Sequence, residues 1–426
     1  MKTFISLMLG KLVYFLCIFS FSVSAQQVEL EPVKLEPIQQ ENFNWPALKK
    51  AWDDDIQFHG FLSQGLFSST GNNVYGKSID SISAGLTELG LNISYQALNQ
   101  LSFAAQGLYR RAGENTGSGG NVTLDCAFID FTFFNFDNGR IGIRGGRVKN
   151  PWGLYNETRD VAFTHPTIFL PLTYFDRSRT LFLSLDGGQF YTDYNTSFGD
   201  FTFKFNYGVM NANDDELLRA ITIIPASGNL KGEPSLVTQL RYDIMGGKYI
   251  FAISYAHVGI SYEPSDISDN FTGLEGNFDS FILSAQYNGE KFSLAGEYNM
   301  QWNRFSGIKG RTDRTDRTDI SEYWYVQAGY RILDNLQATI RYDSGVRDIN
   351  DRSGEKFHSK TGLPAHFMFT QDIVVGLRWD ITPSWMVRAE YQRVHGASAV
   401  SLLDNPEISE LALDWNVYAL QIAFRF

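Results

Sequence analysis

Cysteine is almost absent from this chain of 426 residues, which has two, one of them Cys17 in an apolar N-terminal segment. If that segment is removed, Cys126 stands alone and no intramolecular disulfide can form. Cys126 lies where apolar and polar residues alternate, so we expect a small packed side chain rather than a catalytic thiol. The fold must therefore hold without a disulfide framework.

Long apolar runs are missing after residue 25, where no segment offers the roughly 18 apolar residues of a membrane-spanning helix. This excludes a helical membrane protein. Even so, 43% of the residues are hydrophobic and 15% aromatic, while the mean hydropathy is −0.20. Apolar and polar residues must be finely interleaved, as in a sheet with one apolar and one wet face.

Enzyme signatures are also missing. The chain has no Gly-x-Ser-x-Gly, no His-Glu-x-x-His, no phosphate-binding glycine loop followed by Lys-Ser/Thr and no cysteine pair. Its six histidines are dispersed and none has metal-ligand spacing. We expect no catalytic residue, no cofactor and no metal. A barrel hydrolase built from a strand serine and histidine stays an alternative, because the residues of such a site meet in the fold and need not be close in the sequence.

The one long apolar segment is the N-terminus, where Lys2 and Lys11 precede an apolar run that ends before Val23-Ser24-Ala25. This pattern predicts a signal peptide over residues 1–25, with an uncleaved membrane anchor as the alternative. Removing its two lysines changes the net charge from −11 to about −13 (−11 − 2). A strongly acidic chain is unsuited to nucleic acid, so we expect no nucleic-acid partner.

Residues 26–55 are polar and acidic and carry Pro32, Pro37 and Pro46, which predicts an acidic periplasmic linker. From Ile56 onward, short segments alternate with period two. In the last one, Tyr418, Leu420, Ile422, Phe424 and Phe426 share one face, and Ala419, Gln421, Ala423 and Arg425 share the other. A transmembrane barrel and a soluble sandwich both show such alternation, so it leaves the direction of each face open.

Connection lengths favour the transmembrane barrel, because such barrels alternate short inner turns with long outer loops. Connections after even-numbered segments are tight, and those after odd-numbered ones run to roughly 10 to 30 residues. The sequence thus predicts an all-β fold, a sixteen-stranded antiparallel transmembrane barrel over residues 56–426 with a long third outer loop that folds inward. The predicted strands lie near 56–67, 81–95, 100–111, 122–134, 138–149, 180–194, 199–212, 235–245, 248–262, 277–288, 290–302, 320–332, 335–347, 370–380, 384–395 and 411–426.

With its leader, sixteen alternating segments and terminal Phe426, the chain resembles the trimeric sixteen-stranded porins of Gram-negative outer membranes. Leu420 to Phe426 resembles the signal that the outer-membrane assembly machinery recognises. Gly142 to Gly153 is similar to the Gly-Arg-x-Lys-x-Pro-x-Gly run before the third loop of phosphate-selective and related substrate-selective porins. The resemblance implies a homotrimer in the outer membrane, in contact with lipid and lipopolysaccharide, that passes small hydrophilic solutes.

A basic wall is the sharpest hypothesis for the pore. Arg144, Arg147 and Lys149 surround Gly145-Gly146, which we interpret as a β-bulge that lets all three face one wall and attract anions. Further candidates for the same wall are Arg110, Arg111, Lys204, Arg241, Arg341 and Arg378. The alternative is that these cations are balanced on neighbouring strands by Asp243, Asp343, Asp380 and Glu390.

The third loop, predicted over residues 150–180, is too long and too apolar to be a solvated crossover. Folding inward would bury its apolar residues and constrict the pore; packing between subunits is the alternative. If it folds inward, its charged residues face the basic wall, namely Glu157, Arg159, Asp160, Asp176, Arg177 and Arg179.

Together these features predict passive diffusion of small hydrophilic solutes through a water-filled pore, with anions the preferred class and no enzymatic activity. The alternatives are a substrate-specific nutrient channel, an outer-membrane enzyme, and a structural or adhesion barrel.

Overall fold

The structure, a computed structural model, describes residues 56–114, 120–223, 226–265, 273–306 and 316–426. The predicted signal peptide and linker lie outside these residues. Sixteen antiparallel strands follow one another, and β1 also pairs with β16, which closes the sheet into a barrel. The predicted sixteen-stranded antiparallel barrel is therefore confirmed. The strands are β1 Ile56–Ser69, β2 Ser83–Leu98, β3 Leu101–Ala112, β4 Asn121–Phe136, β5 Gly139–Lys149, β6 Ser184–Thr196, β7 Gly199–Met210, β8 Asn229–Ile244, β9 Tyr249–Glu263, β10 Leu274–Asn288, β11 Phe292–Ser306, β12 Asp316–Leu333, β13 Leu336–Val346, β14 Phe369–Asp380, β15 Trp385–Gly396 and β16 Asp414–Arg425.

Short helices occupy parts of the connections. The α-helices are α1 Arg179–Leu183, α2 Asp215–Thr222 and α3 Glu355–Thr361, and the 3₁₀ helices are Asn156–Thr158, Ala162–Thr164, Leu172–Tyr174, Asp176–Ser178, Ile349–Asp351, Ala365–Met368 and Ile408–Glu410. Among the described residues, no helix combines the length and the apolarity needed to cross a membrane.

The alternation within the strands separates an exposed apolar outer face from an inner face that carries the buried polar side chains. In β16, Tyr418, Leu420 and Ile422 are 45–50% exposed, whereas Gln421 and Ala423 are 2% exposed. Successive side chains of a strand point to opposite faces, so the exposed apolar set lies on the outside of the barrel and Gln421 on the inside. This arrangement settles the direction that the sequence left open, and it is the reverse of a soluble sandwich.

Turn lengths alternate around the barrel as predicted. Connections after even-numbered strands are two to four residues long, for example 137–138 and 381–384, whereas the connection between β5 and β6 extends over residues 150–183. All the short turns lie at one end of the barrel, because consecutive strands are antiparallel. The third loop, defined from here on as residues 150–183, therefore starts and ends at the opposite end.

Three predicted strand starts were wrong by four residues or more. β6 begins at Ser184 rather than 180, because Arg179–Leu183 form helix α1. β8 begins at Asn229 and β12 at Asp316, where 235 and 320 were predicted. In β8 the extra residues still pair with β9, and Lys231 forms an ion pair with Glu263 across this ladder. Polar side chains at this end hid the strands, since the prediction relied on apolar alternation.

Candidate pore and its third loop

The third loop contacts inward-facing side chains in widely separated strands. Arg110 of β3 donates two hydrogen bonds to Asp176, at 3.0 and 2.8 Å. Gln239 of β8 donates to the carbonyl oxygen of Gly153 at 2.9 Å, and Arg378 of β14 donates to that of Phe163 at 3.0 Å. These three strands are five or six positions apart in the closed strand order. One segment thus bridges three distant parts of the barrel.

Glu297 of β11 forms the most heavily bonded of these contacts. Its carboxylate accepts hydrogen bonds from the hydroxyls of Tyr174 at 2.6 Å, Tyr325 at 3.0 Å and Ser284 at 2.6 Å, and from the backbone N–H of Leu154 at 2.9 Å. Glu297 is 3% exposed. Burial and the carboxylate of Glu297 raise the pKa of Tyr174 well above its ordinary value, so the phenol stays a donor. A buried carboxylate needs several donors, and the third loop supplies two of them.

Two buried arginines bind the carbonyl oxygens of residues 165–169. Arg388 of β15 is 1% exposed and donates to the carbonyl oxygens of His165 at 2.9 Å and Thr167 at 2.5 Å, and also to Gln421. Arg341 of β13 donates to the hydroxyl of Thr167 at 2.7 Å and to a further loop carbonyl. Burial and the nearby Arg388 lower the pKa of His165 to about 3, so this histidine is neutral at physiological pH.

Three inward arginines are neutralised within their own strands. Arg241 pairs with Asp243 at 2.8 Å, Arg341 with Asp343 at 2.5 Å and Arg378 with Asp380 at 2.9 Å. Residues two apart in a strand share a face, which makes these pairs geometrically natural. These three pairs agree with the alternative hypothesis, in which carboxylates balance the cations of the inner face. Glu390, the fourth carboxylate in it, instead accepts from the backbone N–H of Ile168 at 2.5 Å and from Gln392.

Three further cations of the predicted basic wall are paired too. Arg144 binds Asp130 at 2.7 Å, and Lys204 binds Glu157 of the third loop at 2.7 Å. Lys149 lies 2.5 Å from Asp125 and 3.5 Å from Asp160.

Charged residues of the third loop also bind one another. Arg179 contacts Asp160 at 2.5 Å, and Arg159 donates to the carbonyl oxygen of Tyr174 at 2.9 Å. Burial alone would raise the pKa of Asp160, but Arg179, Lys149 and Arg159 hold it well below its ordinary range. The loop's buried carboxylate is therefore ionised at neutral pH.

The predicted bulge at Gly145-Gly146 is absent, and this interpretation was wrong. The pairing of β5 with β6 runs from Gly139 to Lys149 without a register shift. Gly146 instead has φ +130°, and a Cβ there would lie 2.3 Å from the carbonyl oxygen of Ala127. The glycine is required by its backbone conformation and by the close approach of β4.

Without a bulge, the basic residues cannot all share one face. Arg144 and Arg147 are three residues apart in an unbroken strand and lie on opposite faces, and Arg147 pairs with Asp186 at 2.6 Å. Arg110 and Arg111 are adjacent and likewise diverge. Arg111 donates to the carbonyl oxygen of Ala84 at 2.6 Å and to Thr87 at 3.1 Å. The predicted single wall of cations is therefore wrong for these pairs.

A cavity of about 180 Å³ lies between the third loop, residues 73–75, residues 399–404 and strands β13 to β15. Two charged residues on its boundary have a buried atom without a hydrogen-bond partner in the described part of the chain, Nη1 of Arg177 and Oδ1 of Asp372. The guanidinium of Arg177 lies 5.3 Å from the ring centre of Phe175. Burial lowers the pKa of Arg177.

Sequence reasoning missed Tyr174, Glu297 and Arg388, which the structure places at the centre of these contacts, and Asp372, which lies on the boundary of the cavity. A signal for Arg388 was present, since it lies two residues before Glu390 and shares its face. The motif Arg-aromatic-Asp, which occurs at 241–243, 341–343 and 378–380, was a signal for the ion pairs within single strands. Glu297 and Asp372 have no such signal in the sequence around them. Whether their side chains find hydrogen-bond partners depends on where the third loop lies.

Neither a search against family models nor one against curated proteins returned a match. Solved structures do match. The anion-selective porin from Comamonas acidovorans is 13% identical with a TM-score of 0.54, covering 87% of this chain and 99% of that one. OprB of Pseudomonas putida, in its high-pH structure, is 13% identical with a TM-score of 0.54, covering 90% and 97%. OmpT of Vibrio cholerae, in its trimer form, is 10% identical with a TM-score of 0.52, covering 87% and 99%.

The closed sheet, apolar outside and charged inside, is a β-barrel of the membrane-spanning class. More narrowly, the chain has the fold of the outer-membrane porins.

Proposed function

We propose that this chain is an outer-membrane porin through which small hydrophilic solutes diffuse passively. The observation that carries this proposal is the division of the strands into an exposed apolar face and an inward face that carries polar and charged side chains. Outside, the exposed Leu420 and Ile422 suit contact with lipid; inside, Gln421, Arg388 and Asp343 make the interior of the barrel polar. A soluble barrel would bury the apolar set instead. The fold similarity to porins supports the same conclusion.

The third loop is proposed as the constriction of this pore. Its contacts with inward-facing side chains of β3, β8 and β14 support an inward position, because these strands lie on different sides of the closed barrel. In this proposal the charged residues of the loop and the inner face, including Arg144, Lys204, Glu157 and Asp176, line the path of the solute.

A substrate-specific channel is the second candidate, and the size of the cavity favours it. The space beside the third loop is about 180 Å³, which suits a solute of a few non-hydrogen atoms rather than a broad range of sizes. A general pore would keep a wider opening at this level. The two candidates differ in size cut-off.

Solute charge is a separate part of the proposal. Anion preference was predicted from a wall of Arg144, Arg147 and Lys149, and it stays a prediction. The pairing of Arg144 with Asp130, and of Lys204 with Glu157, favours weak ion selectivity, because each cation has a carboxylate beside it.

Export, location and assembly complete the proposal. The leader over residues 1–25 would direct export, residues 26–55 would lie in the periplasm, and the barrel would contact lipid and lipopolysaccharide. We propose a homotrimer; the trimer form of OmpT from Vibrio cholerae supports it by fold alone. No nucleic acid is expected as a partner. The rival functions from other classes are an outer-membrane enzyme and a structural or adhesion barrel.

Planar-bilayer recording of the refolded chain tests the proposal. Stepwise conductance in KCl, with entry of small sugars into proteoliposomes, is the expected result, and the largest sugar admitted separates a general pore from a specific channel. Heat-denatured protein in the same detergent is the control. Folded barrel without conductance would contradict the proposal and favour an enzyme or a scaffold.

A further inference from the structure

Two outer connections from opposite sides of the barrel meet at its mouth. One joins β7 to β8 and contains helix α2; the other joins β15 to β16 over residues 397–413. Both follow odd-numbered strands, so they lie at the end of the barrel away from the short turns. In the closed strand order they are eight positions apart, which places them on opposite sides of the barrel. Side chains that join them must therefore reach across the opening.

Glu216 of α2 makes this link. Its carboxylate accepts hydrogen bonds from the hydroxyl of Ser401 at 3.0 Å and from the backbone N–H groups of Leu402 at 2.9 Å and Leu403 at 3.0 Å. Glu216 is 1% exposed and Leu402 is fully buried. Hydrogen bonds to an ionised carboxylate are stronger than those between neutral groups. This contact between Glu216 and residues 401–403 is called the bridge from here on.

Each half of the bridge is also anchored to its own side of the barrel. On one side, Asp214 at the start of α2 accepts a hydrogen bond from the hydroxyl of Thr180 in the third loop at 2.7 Å. On the other side, Asn405 and Asn73 exchange two hydrogen bonds, at 2.8 and 2.9 Å. If the bridge breaks, both halves keep these anchors, and the gap forms between them.

The end of α2 is strained where it meets the opposite connection. Ile223 has φ +66°, in the left-handed region that a β-branched residue rarely adopts. Its side chain lies in an apolar cluster with Val400 and Leu402, and Arg219 donates to the carbonyl oxygen of Pro406 at 3.3 Å. Such strain persists only where the surrounding contacts enforce it, and it is concentrated in segments that switch conformation. Parting of the two connections would relieve it.

We propose that the bridge is a gate at the outer mouth, closed in this structure and opened when Glu216 releases residues 401–403. Ala399 and Asp404 of the same connection line the cavity of about 180 Å³ beside the third loop, so a solute from outside reaches this cavity when the two connections part. One carboxylate holds three donors, and its release frees them together. The inference rests on the pore function proposed above and adds its regulation.

Weakening the bridge should keep the channel open for longer. In Glu216→Gln the side chain keeps its size, but its single oxygen cannot accept from all three donors as the carboxylate does. In single-channel recording in KCl, we expect the variant to spend about three times as long as the wild type in the high-conductance state. Glu410→Gln removes the same charge from an exposed residue of the connection 397–413 and should match the wild type. Equal open fractions in the wild type and Glu216→Gln would overturn the gate.

Reversible cross-linking tests the closed state directly. Cys17→Ser and Cys126→Ser remove both native thiols, and Glu216→Cys with Leu403→Cys place one new thiol on each half of the bridge. A short bis-methanethiosulfonate reagent should hold this protein in the low-conductance state, and dithiothreitol should reopen it. Each single-cysteine variant, treated in the same way, is the control. A cross-link that forms without changing the current would overturn the gate, and failure of the cross-link to form would contradict the bridge itself.

Hydrogen exchange separates the bridge from the pore. The amides of Leu402 and Leu403 should be protected in the wild type and exchange faster in Glu216→Gln, and heat-dependent gel mobility shows whether each variant folds. Ser401→Ala removes one of the three donors and should raise the open fraction by a smaller factor, which keeps the test valid if Glu216→Gln does not fold. Faster exchange without current in any folded protein would contradict the pore and leave the bridge as a structural contact. A wild type that conducts steadily without closures would contradict the gate alone.

Discussion

Arg110 and Asp176 lie 66 residues apart in the chain and meet in a two-point contact, in which Nη2 of the arginine is 3.0 and 2.8 Å from the carboxylate oxygens. The Nε of the same guanidinium donates to Glu88 at 3.0 Å. One side chain of β3 thus holds the end of the third loop against the barrel. Both carboxylates pair with this guanidinium, and Asp176 also lies 3.9 Å from Arg159.

Arg110→Gln should loosen the third loop. A hydrogen bond to a charged group contributes about 1.5–3 kcal/mol, and this change removes the three that Arg110 donates to Glu88 and Asp176. We expect a larger and noisier single-channel conductance in KCl than in the wild type. Arg393→Gln, at an exposed pair, is the matched control. An Arg110→Gln trace that overlays the wild type would show that this contact does not hold the loop.

Glu297→Gln should expose the third loop to protease. The amide keeps the size of the side chain but cannot accept from all four donors, and a buried unsatisfied donor costs about 1–3 kcal/mol. Trypsin is expected to cleave the variant at arginines of the third loop, such as Arg159, several times faster than the wild type. Glu263→Gln, at an exposed ion pair, serves as the control. Equal cleavage rates in all three proteins would refute the anchoring role of Glu297.

Neutralising Arg144 should change ion selectivity, whereas neutralising Arg147 should not. Arg144 lies on the inner face beside Asp130, and removing it leaves that carboxylate unpaired along the path of the ions. Arg147 pairs with Asp186 on the opposite face of β5. Reversal potentials in asymmetric KCl should shift toward cations for Arg144→Gln and stay unchanged for Arg147→Gln. The reverse result would revive the predicted bulge.

Acid should release the third loop only below the ordinary aspartate range. Burial alone would raise the pKa of Asp176, but Arg110 and Arg159 outweigh it and hold the pKa below its usual value. Because the pKa of Asp176 is lower in the docked loop than in a free aspartate, its ionised carboxylate stabilises the docked loop at pH values above about 3.9, the free aspartate pKa. This stabilisation is lost as the pH falls through the lower pKa of the docked loop. Conductance should stay constant from pH 8 to about pH 5 and rise below about pH 4.

Asp176→Asn provides the control for this acid transition, because an amide cannot titrate. The variant should show a smaller acid-induced step, starting from a higher conductance at neutral pH. A wild-type midpoint above the ordinary aspartate value would contradict the assignment, since Asp176 with its depressed pKa stays ionised in the docked loop at such a pH.

The barrel could be predicted from the sequence because its signal is repeated and local. Each strand alternates with period two, as Tyr418 to Phe426 shows, and the turn lengths alternate in register with it. An error of a few residues at one strand end, as at Ser184, does not change the strand count. The register through Gly145-Gly146 was harder, because a glycine pair is compatible both with a bulge and with a straight strand at positive φ.

The contacts of the third loop could not be predicted in the same way. Nothing in the sequence near Glu297 indicates that Leu154 and Tyr174, more than 120 residues earlier, supply its donors. Such pairs depend on the three-dimensional path of a segment without regular periodicity. The in-strand pairs were accessible, because Arg241 and Asp243 reveal their shared face by spacing alone.

The Arg-aromatic-Asp motifs have a consequence for assembly. In β8, β13 and β14 the arginine and its aspartate are two residues apart in the same strand. Each pair can therefore form as soon as the strand is extended, whichever neighbouring strand pairs with it first. Contacts between residues close in sequence need little loop closure and form early. The contacts of Lys204 with Glu157 and of Arg110 with Asp176 must wait until the loop docks. Strands whose arginines are already neutralised can therefore join the growing barrel in sequence. The third loop is the last part to become ordered.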